Sequence, residues 1–364
     1  MKFSINTKEL NNTLKTVSTT GAENIVVTAK DNTVVVVANG EVTSIKTTAT
    51  VNAVDEEGTA VLNARFVTDI AKKAGSDEII FSSSEENKLI QIKAGKSKFK
   101  LNTESSDPVH SSFDLTDAST FSLPASTLKE MLDRVSYAAA SKESYRPILT
   151  GINLSCSDGT LKAAATDSYR LAQDEMKVEG IADFNITIPL TAMSSLQSTL
   201  LADCEEKDML TISVSGSKAV FSKGETLLKT RLLDGTYPEV GRLIPSSFEN
   251  SITVSRDAFQ DVLERSMFLK SKDDGAAVIH LMFSEKGGIK VSSDSKEIGS
   301  FEEDLEGTTE YPDIFSIFFA SSYMVDALKH IRKETVTVRF TGELKPFVIE
   351  DDEVVHLMLP IRRY

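Results

Sequence analysis

Two cysteines, Cys156 and Cys204, are all that a chain of 364 residues carries, and they show no paired spacing. That argues against a disulfide framework or a zinc-ligand set and fits a reducing compartment, where both thiols act as small hydrophobes. No apolar run approaches the roughly 18 residues of a membrane span, and Met1 to Glu9 meets charge before any apolar stretch of signal length. The expected location is the cytoplasm. Four histidines, His110, His280, His330 and His356, stand apart from one another and from cysteine. No phosphate loop or dinucleotide fingerprint occurs, and Gly287-Gly288 reads as a turn between strands. The acidic runs at 302–304 and 350–353 read as solvated surface, because no carboxylate cluster is tied to a catalytic partner. A non-catalytic protein without cofactor or metal is expected.

Positive charge is also short. The chain nets −14, and residues 1–119, 120–249 and 250–364 net −3, −4 and −7. Phosphate binding rests on Lys and Arg, so none of these thirds is a dedicated basic module. Nothing resembles a helix-turn-helix or a zinc finger, and no low-complexity segment is present.

What is present is one pattern written three times. Phe3, Ile5, Leu10, Leu14 and Val17 match Phe121, Leu123, Leu128, Leu132 and Val135, and again Ile252, Val254, Phe259, Leu263 and Ser266. The copies start 118 and then 131 residues apart, which is domain spacing rather than the roughly 20 to 50 residues of a solenoid repeat. Each copy changes from alternation to spacings of four and three, a strand running into an amphipathic helix. Thr7, Ser126 and Ser255 stand where N-caps belong. A weaker copy of the same switch recurs at 60–70, 186–196 and 317–328, so each domain is itself a duplication. Strand-rich alternations such as 33–40 and 88–101 fill the intervals. The expected fold is α+β: three tandem domains over 1–119, 120–249 and 250–364, each with two helices on antiparallel sheets. The linkers at 116–120 and 245–250 are short polar turns.

Taking the helices as roughly 7–17, 64–74, 126–138, 191–201, 256–270 and 322–333, they net +5 while the rest of the chain nets −19. Lys8, Lys15, Arg65, Lys72, Lys73, Lys329, Arg332 and Lys333 supply most of that excess. Cations at helix ends complement the macrodipole in any protein. Helices gathered on one side of three like domains also make a surface that attracts a polyanion without gripping its sequence.

The middle repeat alone places Tyr169-Arg170-Leu171 after the strand at 159–166, and it alone carries the stretches 145–151 and 232–245. A feature confined to one copy of a repeated scaffold is a candidate site. Aromatic, Arg and Leu side chains together suit a peptide groove. The same residues also read as core (Tyr169, Leu149) with a surface charge (Arg170).

These segments, with Ala165-Thr166-Asp167-Ser168-Tyr169-Arg170-Leu171-Ala172, Leu233-Asp234-Gly235-Thr236-Tyr237-Pro238 and the ending Leu359-Pro360-Ile361-Arg362, closely resemble the bacterial DNA polymerase III beta subunit family. The resemblance implies three DNA-clamp domains and a head-to-tail homodimer closing a ring of six, through whose hole duplex DNA slides topologically, without sequence preference. It implies a pocket that takes short Gln/Leu/Phe motifs of the replicative polymerase, the clamp loader and repair proteins. By position, the deep subsite is Leu149, Thr166, Ser168, Tyr169, Arg170, Leu171, Pro238, Arg242, Leu243, Leu357 and Leu359. The second subsite is Arg146, Pro147, Ile148, Tyr323, Leu344, Pro346, Pro360 and Ile361. The dimer contact carries over as Phe99 and Leu101 against Phe268 and Leu269, and DNA contacts as Lys72 and the loop ending at Arg146, Pro147 and Ile148. One departure stands out: only Ser18 to Asn24 separates Val17 from Ile25, without the family's longer basic loop.

Two alternatives stay in play. One is a clamp-fold binder of replication peptides, such as a virus-encoded one, that is never loaded on DNA. The other is a metal-dependent nuclease built on the acidic turns.

Overall fold

In the computed structural model the described residues are 1–84, 89–103, 112–141, 144–269, 277–309 and 314–362, and His110 lies outside them. The first repeat runs β1 (Lys2–Asn6), α1 (Thr7–Ser18), β2 (Asn24–Lys30), β3 (Thr33–Asn39), β4 (Thr43–Thr50), β5 (Ala53–Glu56), β6 (Gly58–Asn63), α2 (Ala64–Lys72), β7 (Glu78–Ser84), β8 (Leu89–Ala94) and β9 (Ser97–Asn102). The second runs β10 (Ser119–Pro124), α3 (Ala125–Val135), β11 (Gly151–Ser157), β12 (Thr160–Thr166), β13 (Arg170–Lys177), β14 (Phe184–Pro189), α4 (Leu190–Ser198), β15 (Met209–Ser215), β16 (Lys218–Lys223) and β17 (Thr226–Arg231). The third runs β18 (Asn250–Ser255), α5 (Arg256–Ser266), β19 (Val278–Ser284), β20 (Gly288–Ser295), β21 (Gly299–Leu305), β22 (Gly307–Thr309), β23 (Phe315–Ala320), α6 (Ser321–Lys329), β24 (Thr335–Phe340), β25 (Phe347–Asp351) and β26 (Val354–Met358).

All six helices begin on the residue after a strand, as the change of apolar period requires. The caps differ in part from the sequence reading. Ser255 caps α5 as expected, accepting from Ala258 N at 3.4 Å. At α1 the cap is Asn6, whose Oδ1 accepts from Lys8 N, while the Thr7 hydroxyl donates to the Ser76 carbonyl at 2.6 Å. Ser126 lies inside α3, which starts one residue earlier at Ala125. Five helices end short of their expected limits, α6 at Lys329 rather than 333. The Tyr169-Arg170-Leu171 stretch follows the second strand after its helix, since β11 intervenes.

The chain forms two compact units, residues 1–129 with 191–232 and residues 130–190 with 233–364, so the middle repeat contributes to both. The first unit holds a sheet ordered β5-β1-β7-β8-β9 and another ordered β10-β15-β16-β17-β4-β3-β2-β6. The second holds β14-β11-β12-β13-β26-β25-β24-β18-β22 and β21-β20-β19-β23. In each unit one sheet crosses a repeat boundary by antiparallel pairing. β17 pairs with β4 from Thr226 opposite Thr47 to Thr230 opposite Thr43. β13 pairs with β26 from Arg170 opposite Met358 to Asp174 opposite Val354.

The helices bury Leu10, Leu14 and Val17 in the first unit and Phe259, Val262 and Leu263 in the second. Each such side chain contributes about 1.5 to 3 kcal/mol on burial. Phe3 stacks on Phe81 in one core, and Phe315, Phe340 and Phe347 pack in the other. Among the described residues no helix is long and apolar enough to cross a membrane.

Candidate functional site

The turn between β12 and β13 is built by Asp167. Its Oδ1 accepts from the N–H groups of Tyr169 (2.9 Å) and Arg170 (3.0 Å). Thr166 Oγ1 donates to the Arg170 carbonyl (2.6 Å) and accepts from Ser168 N (3.2 Å). These bonds hold Ser168 at φ 80°, a left-handed conformation that is strained for a residue with a Cβ. Tyr169 is left 60% exposed, and its carbonyl accepts from Leu359 N at 2.9 Å, which ties the segment after β26 to the turn.

Arg170 is not a free cation. Its Nε donates to Asp167 Oδ2 (3.1 Å) and its Nη1 to Asp326 Oδ2 on α6 (2.6 Å), and the side chain is only 12% exposed. The guanidinium carbon lies over two rings, 4.7 Å from the Tyr323 centroid and 5.3 Å from that of Tyr137. Tyr323 in turn faces Tyr169, with centroids 6.4 Å apart. Burial, then the Asp167 charge, pushes the Tyr323 phenol up. On the far side Tyr137 stacks on His330 at 4.8 Å and hydrogen-bonds His356 Nδ1 at 2.8 Å, the donor depending on the tautomer.

Beneath the turn, Leu149, Leu171 and Leu357 form one buried cluster with Ala140, Ala164, Tyr237, Val240 and Val348, and Ile148 packs against it. The structure therefore joins Ile148, Leu149, Leu171 and Leu357 as an apolar floor. Thr166, Ser168, Tyr169 and Arg170 form the turn, Tyr323 joins through Arg170 and Leu359 through Tyr169. The remaining expected residues lie on flanking segments. Arg146 and Pro147 open the turn Pro147–Thr150. Pro238 precedes the turn Val240–Leu243, where Arg242 pairs with Glu239 (2.6 Å) and Leu243 is exposed. Leu344 is exposed between β24 and β25, and the Pro346 carbonyl accepts from Thr341 Oγ1 (3.0 Å). Pro360 and Ile361 follow β26, Ile361 N donating to the Phe318 carbonyl (2.7 Å).

Sequence reasoning passed over Asp167, Asp326 and Tyr137. Asp167 sits inside the very segment that singled out the middle repeat, and Asp326 lies one helical turn beyond Tyr323. Tyr137 carries no signal in the sequence, because its role comes from tertiary packing alone.

The basic residues divide into two groups. Lys8 and Lys15 stand seven residues apart on one exposed face of α1, with Asn12 exposed between them, and Arg65 and Lys72 have the same spacing on α2. Among the described residues Lys8, Lys15, Lys72 and Lys73 have no ion-pair partner, and Arg65 reaches Asp69 only at 4.0 Å. In the other unit Lys329 pairs with Glu264 (3.8 Å), Arg332 with Glu130 (3.6 Å) and Lys333 with Asp352 (2.6 Å). The helix bounds also correct the charge count: α1 and α2 net +1 each, α5 −1 and the other three zero, so the helices net +1 and not +5. Lys73, Arg332 and Lys333 lie past helix ends, and Lys270 lies outside the described residues.

Phe99 and Leu101 are on β9, the last strand of its sheet. With Phe66, Asp69, Ile70 and Lys73 of the α2 region they line a cavity of about 310 Å³. Lys73 therefore borders this cavity. In the other unit Phe268, 80% exposed, and Leu269 follow α5, and β21 ends its own sheet.

A tandem array of like α+β domains, with sheets running on across repeat boundaries, is the architecture of a clamp. Family profiles agree along the chain: the N-terminal, central and C-terminal domains of the DNA polymerase III beta subunit match residues 1–110, 122–239 and 241–362. The beta sliding clamp of Staphylococcus aureus is 32% identical over 373 residues, covering 98% of this chain and 97% of that protein. That of Staphylococcus epidermidis is 31% identical over 371 residues, with the same shares covered. The crystal structure of the DNA polymerase sliding clamp from Bacillus subtilis superposes with a TM-score of 0.91 at 27% identity, covering 100% of both chains. The DNA polymerase III beta subunit of Thermotoga maritima, at 23% identity, TM-score 0.90 and 100% of both chains, shares the fold. The chain belongs to the DNA polymerase III beta subunit family.

Proposed function

We propose that this chain is a DNA sliding clamp of replication, which encircles duplex DNA and tethers the polymerase and other replication and repair proteins to it. Family membership along the whole chain supports this reading over that of a peptide binder never loaded on DNA. The clamp is a cytoplasmic, non-catalytic accessory subunit of three domains, 1–119, 120–249 and 250–364. Encirclement also reconciles a chain of net charge −14 with a DNA partner. Topology retains the duplex, and tight phosphate contacts would hinder sliding.

The observation that carries the assembly is the use of sheet edges. The fourth strand of repeat one pairs with the last strand of repeat two, and β13 of repeat two pairs with the last strand of repeat three. The corresponding strand of repeat three, β21, and the last strand of repeat one, β9, end their sheets. A second chain arranged head to tail supplies each with its missing partner, and two such junctions close a ring. Phe99 and Leu101 of one chain then meet Phe268 and Leu269 of the other at the α2 cavity.

The apolar floor and the turn above it form the peptide pocket, with Arg146, Pro147, Ile148, Leu344, Pro346, Pro360 and Ile361 as its second subsite. Lys8, Lys15, Arg65, Lys72, Lys73, Arg146, Pro147, Ile148, Lys329, Arg332 and Lys333 face the DNA. The test is retention after loading onto a nicked circular duplex. The clamp is expected to survive high salt on the circle and to leave when the circle is cut. Equal retention on a linear duplex with free ends would exclude encirclement.

A further inference from the structure

The strongest polar feature beside the pocket is the set of groups around Arg170. We infer that Asp326 and Tyr137 are positioning residues of the peptide pocket: they hold Arg170 so that Tyr323, and through it Tyr169, stands as a fixed aromatic wall. The inference rests on the peptide-pocket reading and deepens it.

The geometry argues against the simpler idea that Arg170 offers its charge to a ligand. Its Nε and Nη1 are taken by Asp167 (3.1 Å) and Asp326 (2.6 Å), and two carboxylates outweigh one guanidinium. Two tyrosine rings also lie against the guanidinium, Tyr323 at 4.7 Å and Tyr137 at 5.3 Å. A planar cation locked this way acts as a spacer that fixes ring positions, a task a flexible ammonium does not perform. Tyr323 stands on α6 three residues before Asp326, so the ion pair sets the helix face and the cation–π contact sets the ring. Tyr137 is itself fixed by its stack on His330 and its hydrogen bond to His356. Its backing keeps Arg170 from swinging away from Tyr323. The wall is therefore ordered before any peptide arrives, and the ligand does not bear the entropy of ordering it. The net negative surroundings of Arg170 favour an anchor that is aromatic or aliphatic over one that is acidic.

The test uses the full-length chain and a fluorescein-labelled peptide carrying one Gln and a Leu-Phe pair, read by anisotropy. Asp326→Asn and Tyr137→Leu are each expected to weaken binding about tenfold, by releasing a wall that is otherwise preorganised. Asp326→Glu restores most of it, which a general loss of stability would not do. The double variant Arg170→Gln with Asp326→Asn is expected to bind no worse than Arg170→Gln alone, because both remove one linked arrangement. The chain has no Trp, so its near-ultraviolet dichroism includes the Tyr169 and Tyr323 contribution, and Asp326→Asn is expected to reduce that signal. Asp326 is partly exposed, so its substitution carries the test even where Arg170→Gln folds poorly. Peptide binding by the unaltered chain that stays within about twofold in Asp326→Asn and Tyr137→Leu overturns the positioning role alone. No binding by the unaltered chain overturns the pocket reading and the inference with it.

Discussion

Tyr137 Oη lies 2.8 Å from His356 Nδ1, and that hydrogen bond is the one polar contact of a fully buried imidazole whose Nε2 has no partner among the described residues. Burial, with smaller contributions from His330 and Arg134, pushes the His356 pKa from 6.5 down to about 3. Native His356 is therefore neutral where the unfolded chain takes up a proton. Stability is complete above pH 6.5 and falls as pH drops toward about 3. The slope from this one group is about 1.4 kcal/mol per pH unit within that window. Urea midpoints between pH 5 and 7, read as the difference between the native chain and His356→Gln, measure it, and parallel curves would remove the assignment.

Much of the fold is legible in the sequence because it rests on apolar period, which survives duplication. Phe3 to Val17 and its two copies mark the strand-to-helix entries, and six such entries are found. Helix ends and caps are less legible because they turn on single side chains. Asn6 rather than Thr7 caps α1, since the Thr7 hydroxyl is drawn to Ser76, 69 residues on. The short helix ends have a larger consequence, moving Lys73, Arg332 and Lys333 off the helices on which a charged lining was read. Within the site, Tyr169 and Arg170 stand out because only one repeat carries them. Asp326 and Tyr137 stay hidden because only tertiary packing brings them to Arg170, Asp326 from the third repeat's α6 and Tyr137 from the segment after the second repeat's α3.

The free and paired lysines predict an uneven response to salt. Lys8, Lys15 and Lys72 have no acidic partner among the described residues, whereas Lys329, Arg332 and Lys333 are each answered by a carboxylate. Each phosphate contact contributes about 0.9 to the slope of log affinity against log salt. Changing Lys8, Lys15 and Lys72 together to Gln is expected to lower that slope by up to about 3 on short duplex DNA. The same change at Lys329, Arg332 and Lys333 is expected to move it less. Equal shifts from the two sets would contradict the division.

Leu359 offers a direct probe of the peptide pocket. It is 38% exposed just after β26, and its N–H is held by the Tyr169 carbonyl, so its backbone is fixed next to the turn. Leu359→Asp puts a charge where an apolar anchor is to be buried. A cost of about 2 kcal/mol, or about thirtyfold in peptide affinity, is expected. Mass in solution is expected to stay that of the dimer. Unchanged anisotropy titrations would move the pocket elsewhere.

The two internal junctions also predict a register for the proposed junction between chains. Leu228 faces Ile45 and His356 faces Ala172. Counting from the turns that open β9, β17 and β26, Phe99 occupies the place of Leu228 and His356; the sixth residues of β3, β12 and β20, Ala38, Ala165 and Ser293, pair with Ile45, Ala172 and Phe301, which therefore share one place. Phe99 is then expected opposite Phe301, with Ser97 opposite Glu303 and Lys98 opposite Glu302. The faces agree: Phe99 pairs across its own sheet with buried Ile92, while Lys98 lies on the other face. At the internal junctions the places of Lys98 and Glu302 hold Leu227 with Lys46 and Val355 with Gln173, so at this place an opposite-charge pair is expected at the proposed junction between chains and at neither internal one. Glu302 already touches Lys290 at 2.9 Å and would be shared between two lysines. Reversing it with Glu302→Lys is expected to cost about 1 kcal/mol at each of two equivalent junctions, near thirtyfold in the dimer dissociation constant. Adding Lys98→Glu is expected to recover most of that loss. Sedimentation equilibrium across a dilution series measures both, and a double variant no tighter than Glu302→Lys alone would reject the register.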